Sequence, residues 1–315
     1  MNFQQLRSVR EAVRCGFNLT EVAQALHTSQ PGVSRQIREL EQELGIEIFV
    51  RQGKRLTGLT APGRALLPVV ERLLTEAQNL HRIGEDFSKG DVGTLSIAAT
   101  HSQARYALPA VVRDFQARHP GVSLKLHQGS PQQIAQMLVS GEADIGIATQ
   151  ALAEQDPLVA LSCYRWTHSV VVPPEHELLQ GPLTLQRLAA YPLITYDVGY
   201  TGRGTIDDAF HRAGLNMQLV LSAMDADVIK TYVGLGMGVG IVASIAFDEE
   251  RDQPLRAIDA RHLFAINTTS IGLRRGALLR AYAYDFIQSF APHLKPEIVM
   301  QAQATRASAA EPAPL

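Results

Sequence analysis

Cysteine and tryptophan are scarce in this chain of 315 residues, which holds two cysteines and one tryptophan. Cys15 and Cys163 are too few for a disulfide framework, and their spacing matches no metal-ligand pattern. No apolar run is long enough to span a bilayer, and no basic-then-apolar leader follows Met1. These absences exclude a disulfide-stabilised secreted domain and a membrane-spanning protein, and they predict reduced thiols in a cytoplasmic protein.

An excess of charge of either sign is also missing. The chain has a net charge of −2, with 46% hydrophobic and 19% charged residues, which is typical of a soluble globular protein of two or three domains. The charges are unevenly spread, because residues 1–65 hold nine basic and six acidic residues, whereas 17 basic and 21 acidic residues follow from residue 91 onward. This asymmetry predicts that any contact with nucleic acid is confined to the N-terminal segment.

The N-terminal segment carries the pattern of a helix-turn-helix. Apolar residues at helical spacing predict a first helix that begins at Thr20, followed by a turn at residues 27–29. Ser29 is a suitable N-cap for the second helix, and Pro31 fits its first turn, where a missing N–H costs nothing. The predicted buried positions of the two helices are Leu19, Val22, Ala23 and Leu26, then Val33, Ile37 and Leu40.

The exposed face of the second helix offers donors of the kind that reach base edges and phosphates in a major groove. The DNA-binding residues predicted there are Gln30, Pro31, Ser34, Arg35 and Arg38. A strand-like run at 46–50 and Gly53 predict a basic hairpin, or wing, whose Arg51, Lys54 and Arg55 meet the phosphate backbone. The alternatives are an ordinary helical hairpin with a solvated polar face and a solvated basic loop.

A long helix with a heptad-like apolar seam is predicted over residues 62–86. The seam residues are Leu66, Val70, Leu73, Ala77 and Leu80. Pairing with the same helix of another copy predicts a homodimer or homotetramer, and packing on its own domain is equally consistent with this pattern. We assign residues 1–61 to a winged helix-turn-helix domain, 62–90 to a linker and dimerisation helix, 91–295 to an effector-binding domain, and 296–315 to a disordered tail.

From residue 94 onward strands and helices alternate, which predicts an α/β region with parallel sheets covered on both faces. Strands are predicted at 95–99, 122–127 and 143–148 in a first set, and at 169–172, 193–196, 219–221 and 239–242 in a second. A last strand at 269–273 and a helix at 278–290 return to the first set. We therefore expect lobe I at 91–163 and 265–295, lobe II at 164–264, and a ligand cleft between them.

Taken together, these features resemble the LysR-type transcriptional regulators. The resemblance rests on residues 29–34, 40–41, 44–45 and 56–63, which match that family's N-terminal signature, and it covers nearly the whole chain. Residues 100–106, 127–131, 163–166, 201–203 and 225–231 resemble the CysB-like branch of sulfur-assimilation regulators, in which Ser102 is more often threonine. The resemblance implies a two-lobed effector domain like a type-2 periplasmic binding protein and control of genes for cysteine synthesis and sulfate or sulfonate uptake.

Polar residues stand where the predicted strands of the two lobes end, which is where open α/β sheets bind ligands. Helix N-termini with nearby hydroxyls hold anions without a full positive charge, so we expect a small anion such as sulfate, a sulfonate, O-acetylserine or N-acetylserine. The predicted effector-binding residues are Thr100, Ser102, Gln103, Gly129, Ser130, Thr149, Trp166, Thr201 and Arg203. The alternatives without a ligand are that the hydroxyls only cap helices, that the tryptophan is a core residue and that the arginine is solvated.

Three classes of protein compete for this pattern. A solute-binding protein or an enzyme explains only the lobes, and the chain offers no catalytic constellation and no compact set of metal ligands, so we predict no catalytic residue, no metal and no resident cofactor. A regulator explains the helix-turn-helix, the long helix and the lobes together. The partners predicted are double-stranded promoter DNA, the small anionic effector, further copies of the chain and RNA polymerase, with no membrane. A LysR-type regulator of an unrelated pathway remains the nearest alternative.

Overall fold

A computed structural model of the chain describes residues 1–53, 55–89, 92–149, 152, 157–200 and 202–304. The chain forms two compact units. The first comprises Met1–Ser88 with Gly276–Leu278, and the second comprises Lys89–Arg275 with the described residues from Leu279 onward. Within these described ranges, no helix combines the length and the apolar character that crossing a membrane requires.

The first unit is a helical domain with a two-stranded wing. Its elements are α1 (Phe3–Arg14), α2 (Leu19–Ala25), α3 (Gln30–Leu44), β1 (Phe49–Gln52), β2 (Arg55–Leu59) and α4 (Ala61–Lys89). Val33, Ile37 and Leu40 are buried on the inner face of α3, as the apolar spacing predicts. The Ser29 hydroxyl caps α3 by accepting the Gly32 N–H at 3.2 Å.

Two local expectations for this domain are wrong. The first residue of α2 is Leu19, and the cap is the Asn18 side chain, which accepts the Thr20 N–H at 3.1 Å. The helix therefore begins one residue before the predicted position, because the side-chain amide oxygen of Asn18 caps it. The first wing strand begins at Phe49 rather than at residue 46, while Gly53 adopts a positive φ of 61° beyond its end, as a hairpin tip requires.

Helix α4 divides the predicted seam between two environments. Val70 is buried in the core of the first unit together with Leu74. At this position the alternative of packing within the same domain is confirmed, and the prediction that Val70 contacts another copy of the chain is wrong. Leu73 and Leu80 are exposed, at 40% and 70%, and Val69 and Ile83 join them. These four residues form an exposed apolar stripe, which is the surface of α4 available for contact with another copy of the chain.

The second unit contains the remaining elements. In chain order they are β3 (Gly93–Ala99), α5 (Leu108–Arg118), β4 (Val122–Gln128), α6 (Pro131–Ser140), β5 (Ile145–Ala148), β6 (Leu158–Trp166), β7 (His168–Val172), α7 (Leu185–Ala189), β8 (Leu193–Tyr196), α8 (Arg203–Arg212), β9 (Leu219–Ala223), α9 (Ala226–Gly234), β10 (Val239–Ala243), β11 (Arg256–Asp259), β12 (Asn267–Arg274), α10 (Ala281–Phe290) and α11 (Pro296–Ala304).

The two lobes are built on two five-stranded sheets. The strand order is β4-β3-β5-β12-β6 in lobe I and β11-β7-β10-β8-β9 in lobe II. Strands β4, β3 and β5 are parallel, as are β10, β8 and β9, but β12 runs antiparallel to β5 and β6, and β7 runs antiparallel to β10 and β11. The expectation of wholly parallel sheets is wrong because the chain crosses between lobes and returns.

The lobe crossings lie at the ends of β6 and β12. Strand β6, which the sequence did not predict, belongs to the sheet of lobe I through Trp166, and β7 opens lobe II at His168. The chain therefore crosses at Thr167 rather than between residues 163 and 164. It returns before Asn267, which pairs with Trp166 in the register of β12 and β6.

The tail expectation is also wrong over residues 296–304. These residues form α11, whose Val299 is fully buried in the core of lobe I. The small and polar residues that follow α11 led to the prediction of disorder for the whole segment. Residues 305–315 lie outside the described part of the chain.

We predict that Leu73→Asp dissociates the oligomer while the subunit stays folded, because a carboxylate on an apolar contact surface loses its hydration without gaining a partner. The measurement is molar mass by light scattering, with far-UV circular dichroism as the check on folding. Leu73→Met is the matched control and keeps the parental mass. Val70→Asp is expected to unfold the first unit instead, and an unchanged mass for folded Leu73→Asp contradicts the assignment of this stripe.

Candidate nucleic-acid interface and effector cleft

The exposed face of α3 carries the predicted DNA-contacting side chains in a defined arrangement. Gln30 and Pro31 are exposed in the first turn. The Arg38 guanidinium donates to the Ser34 hydroxyl at 3.0 Å, one turn earlier on the helix. Arg35 forms an ion pair with Glu39 at 2.7 Å, and its side chain is 81% exposed, so the pair is weak and Arg35 stays available to a phosphate or a base.

The wing is held in place by Glu41 of α3. One carboxylate oxygen of Glu41 accepts the N–H groups of Ile48 and Phe49 at 2.9 and 3.2 Å, and the other accepts from Arg51 at 2.8 Å. Arg51 is therefore bound within the protein, which the prediction of a phosphate contact did not foresee. Arg55 is exposed and forms no ion pair with the described residues. Lys54 lies outside the described residues.

Three of the predicted effector residues meet at one edge of the lobe I sheet. Ala99 at the end of β3 lies opposite Gln128 of β4 and Ile147 of β5. The Gly129 N–H donates to Ala99 at 3.2 Å, and the Thr100 N–H donates to Ile147 at 3.2 Å. This register brings Thr100, Gly129 and Thr149 side by side, because each directly follows one of three parallel strands.

The chain enters a helix directly after Thr100. It continues from a first turn at 101–102 through the π-helical turn Gln103–Ala107 into α5. Ser102 is fully buried, and its hydroxyl interacts with the Tyr196 hydroxyl of lobe II without a hydrogen bond of normal length among the described residues. A buried hydroxyl whose hydrogen bond is not fully formed costs free energy, so it marks a position where a bound acceptor is favoured.

The side chain of Gln103 is fixed by two residues that the sequence reasoning missed. Its amide oxygen accepts from the Tyr164 hydroxyl at 2.5 Å, and its amide nitrogen donates to the Thr269 hydroxyl at 3.2 Å. Burial raises the pKa of Tyr164, which keeps its hydroxyl protonated as a donor. Gln103 retains one amide proton beyond this pair for a ligand. Strand position alone could not have predicted these contacts, because they join residues more than 60 positions apart.

Ser130 is a helix cap. Its hydroxyl accepts the Gln133 N–H at 3.2 Å and the Gln133 side chain accepts the Ser130 N–H at 2.8 Å, which completes a capping box at the start of α6. The capping alternative is therefore realised for the Ser130 hydroxyl. The hydroxyl still has its own proton to offer a ligand.

The lobe crossing supplies a second group of buried polar atoms. Trp166 and His168 are buried with ring centroids 5.2 Å apart, and none of their ring nitrogens has a hydrogen-bond partner in the described part of the chain. Gly202 packs against both, since a Cβ there would lie 2.8 Å from the Trp166 ring and 2.9 Å from Nε2 of His168. Its φ of 71° also requires glycine. Thr201, predicted to bind the effector, lies outside the described residues.

Arg203 is buried and bound within lobe II, which corrects its assignment as an effector ligand. Its guanidinium donates to the Tyr196 carbonyl at 2.6 Å and to Asp207 at 2.7 Å. Its exposed fraction is 7%, so the solvated alternative is wrong as well. The charge of Arg203 stabilises the start of α8 against β8.

One group among the described residues has the composition of a metal site. Ligand atoms of His101, Asp225 and Asp227 lie within 4.8 Å of one another. Asp225 already caps α9 by accepting the Val228 N–H at 2.9 Å. Asp227 already pairs with Arg105 and with Lys230 at 3.2 Å each. Each of the two carboxylates therefore already has a partner within the chain.

Models of two protein families match this chain. The model described as "Bacterial regulatory helix-turn-helix protein, lysR family" matches residues 3–64, and the "LysR substrate binding domain" model matches residues 88–295. The chain belongs to the LysR family. It is a transcriptional regulator with an N-terminal helix-turn-helix and a two-lobed effector domain, and it is not an enzyme.

Individual relatives agree with this membership. The chain is 58% identical over 295 residues to the HTH-type transcriptional regulator SsuR of Burkholderia cenocepacia, covering 93% of this chain and 96% of the relative. It is 54% identical over 303 residues to CysB of the same organism, covering 96% and 97%. Among solved structures, the cofactor-binding domain of the Cbl transcriptional regulator superposes with a TM-score of 0.66 at 49% identity, covering 68% of this chain and 95% of that one.

We predict that His168 makes the stability of this LysR-family protein depend on pH. Burial lowers the pKa of His168 from 6.5 to about 4. Between about pH 6.5 and pH 4 the imidazole is therefore protonated in the unfolded chain and neutral in the folded chain. The free energy of unfolding consequently falls as the pH falls through this window. His168→Met should remove about 1.4 kcal/mol of that loss per pH unit.

The measurement is urea unfolding of the full chain at pH 7.5 and at pH 5.5, followed by the fluorescence of Trp166. His211→Met, at an exposed position of α8, is the control and should keep the parental pH dependence. Identical pH profiles for the parent and His168→Met contradict the prediction.

Proposed function

We propose that this regulator binds promoter DNA through α3 and the wing and controls sulfur-assimilation genes in response to a small sulfur-linked anion. The observation that carries the effector assignment is the edge where β3, β4 and β5 end. The residues that follow three strands meet there, Thr100 and Thr149 carry hydroxyls, and Ser102 adds a buried hydroxyl with no hydrogen bond of normal length among the described residues. Such hydroxyl and N–H donors suit sulfate, a sulfonate or the carboxylate of an acylated serine.

The sulfur assignment rests on the CysB-like motifs in the sequence and on the similarity to SsuR and CysB. Several of the motif residues contact one another near the proposed cleft, since Tyr164 bonds to Gln103 and Trp166 shares an apolar cluster with Tyr164. Genome-wide mapping of bound promoters under sulfate-replete and sulfate-starved growth tests the assignment directly.

The remaining partners follow from this role. The exposed stripe of α4 supports a homodimer or homotetramer, in which two helix-turn-helix domains meet two half-sites on the DNA. Contact with RNA polymerase and action in the cytoplasm, where promoter DNA is accessible, belong to the same proposal. The proposed effector-binding residues are Thr100, Ser102, Gln103, Gly129, Ser130, Thr149, Trp166 and Thr201.

We predict that two DNA-binding variants have different signatures. Arg55→Ala removes one phosphate contact, so it should weaken binding to all sequences and reduce the slope of log affinity against log salt by about one. Gln30→Ala removes a base contact and should cost about 1–3 kcal/mol on the operator only. The measurement is a gel-shift titration at several salt concentrations on operator and scrambled DNA. Arg212→Ala, an exposed arginine of lobe II, is the control, and unchanged affinity for both variants contradicts the docking.

We predict that Thr100→Val loses effector binding, because it keeps the shape of threonine and removes the hydroxyl, which leaves the anion one donor short. Basal DNA affinity should stay unchanged. The measurement is calorimetric titration of the full chain with sulfate, O-acetylserine, N-acetylserine and a simple sulfonate. Thr94→Val, at an exposed position near the opposite end of β3, is the control for the loss of a threonine hydroxyl. If no ligand binds below about millimolar, or if Thr100→Val binds as the parent does, the effector lies outside this class.

A further inference from the structure

The two lobes of the second unit are joined by a hydrogen bond across the cleft. The Tyr106 hydroxyl, in the π-helical turn of lobe I, donates to a carboxylate oxygen of Asp227, in the first turn of α9 in lobe II, at 2.7 Å. Arg105 donates to the other oxygen of the same carboxylate at 3.2 Å. The side chains of Arg105 and Asp227 are 54% and 42% exposed, so water screens their ion pair and the partly buried tyrosine bond is the stronger contact.

Lys230 holds Asp227 in the position that Tyr106 requires. Its ammonium lies 3.2 Å from Asp227, one turn earlier on α9, and 5.2 Å from the centre of the Tyr106 ring. The ammonium is itself anchored by Asp252 at 2.7 Å and by the Ala246 carbonyl at 2.9 Å. The Asp227 carboxylate is thus held in place within lobe II. The position of the Tyr106 hydroxyl depends on the π-helical turn of lobe I that carries it.

That turn is also the turn that begins the proposed effector site. Ser102 and Gln103 lie within one helical turn of Tyr106, and the π-helical segment Gln103–Ala107 links them directly. A π-helical turn places an extra residue in the helix and is frequent at functional sites. Only Ala104 and Arg105 separate the 102–103 turn from Tyr106, so a shift of that turn toward a bound anion moves Tyr106 as well.

We propose that Tyr106 and Asp227 form an interlobe latch that positions the 102–103 turn and couples effector binding to lobe closure. The effector half of this inference rests on the proposed function. The latch stabilises the form in which the lobes touch, and an anion bound by the same turn gains affinity when that form is populated. A hydrogen bond to a partly exposed charged group corresponds to about a tenfold change in such an equilibrium.

Hydrogen exchange tests the latch without any effector. In Tyr106→Phe, amides in α9 should exchange at least about threefold faster in the full chain, although α9 belongs to the other lobe and its sequence is unchanged. Tyr191→Phe is the matched control, because Tyr191 also donates to a carboxylate, that of Glu177 at 2.9 Å, but within lobe II. Parental exchange of α9 in Tyr106→Phe overturns the latch, whatever the effector is.

A double-mutant cycle tests the coupling, with inorganic sulfate as the probe in calorimetric titrations of the full chain. Tyr106→Phe should weaken sulfate binding about tenfold in the parent but should have little further effect in Asp227→Ala, because that background already lacks the acceptor of the bond. Additive losses overturn the coupling, as does parental affinity in both single variants. If the parent itself binds no sulfate, the proposed effector class fails, and the exchange experiment still decides the latch.

Discussion

The alignment of β4, β3 and β5 in lobe I is the constraint on which the effector site depends. Ladder hydrogen bonds fix Ala99 opposite Gln128 and Ile147, so the residues that follow the three strands meet at one edge. A slip of one residue would turn every strand side chain to the other face and would separate these strand ends. The glycine pair Gly146 and Gly272 in adjacent strands supports this alignment, because it lets α6 approach the sheet closely.

The two crossings between lobes turn that edge into a cleft that can change shape. Each lobe has its own sheet with apolar residues packed on it, and one apolar cluster, which includes Trp166 and Tyr196, joins residues of both lobes. The crossing strands end at Trp166 and begin at His168, and Gly202 of lobe II packs against both rings. Movement of one lobe against the other therefore changes the surroundings of the ring nitrogens of Trp166 and His168, which have no hydrogen-bond partner among the described residues. A ligand that satisfies such atoms in only one arrangement shifts the balance between arrangements.

Local sequence signals predicted much of this protein because they act within a few residues. The Ser29 cap, the proline in the first turn of α3 and the buried face of that helix all follow from spacing and side-chain type. Strand β8 matches its predicted bounds because its apolar run is buried on both faces. The errors occur where a distant part of the chain decides which residues are buried. Val70 and Leu73 occupy equivalent positions in the apolar seam, yet Val70 is buried and Leu73 is exposed. Val299 is buried although the residues that follow it are small and polar.

The family, the winged helix-turn-helix, the two α/β lobes and the strand ends that carry Thr100, Gly129 and Thr149 could all be predicted from residue patterns. Which polar groups are already bound depended on the folded chain. It paired Arg203 with Asp207, Arg51 with Glu41, Tyr164 with Gln103 and Tyr106 with Asp227. Helix caps and apolar periodicity act over a few residues, whereas a buried polar side chain pairs with whichever group the fold brings within about 3 Å, and the pair Tyr106 and Asp227 is 121 residues apart in sequence.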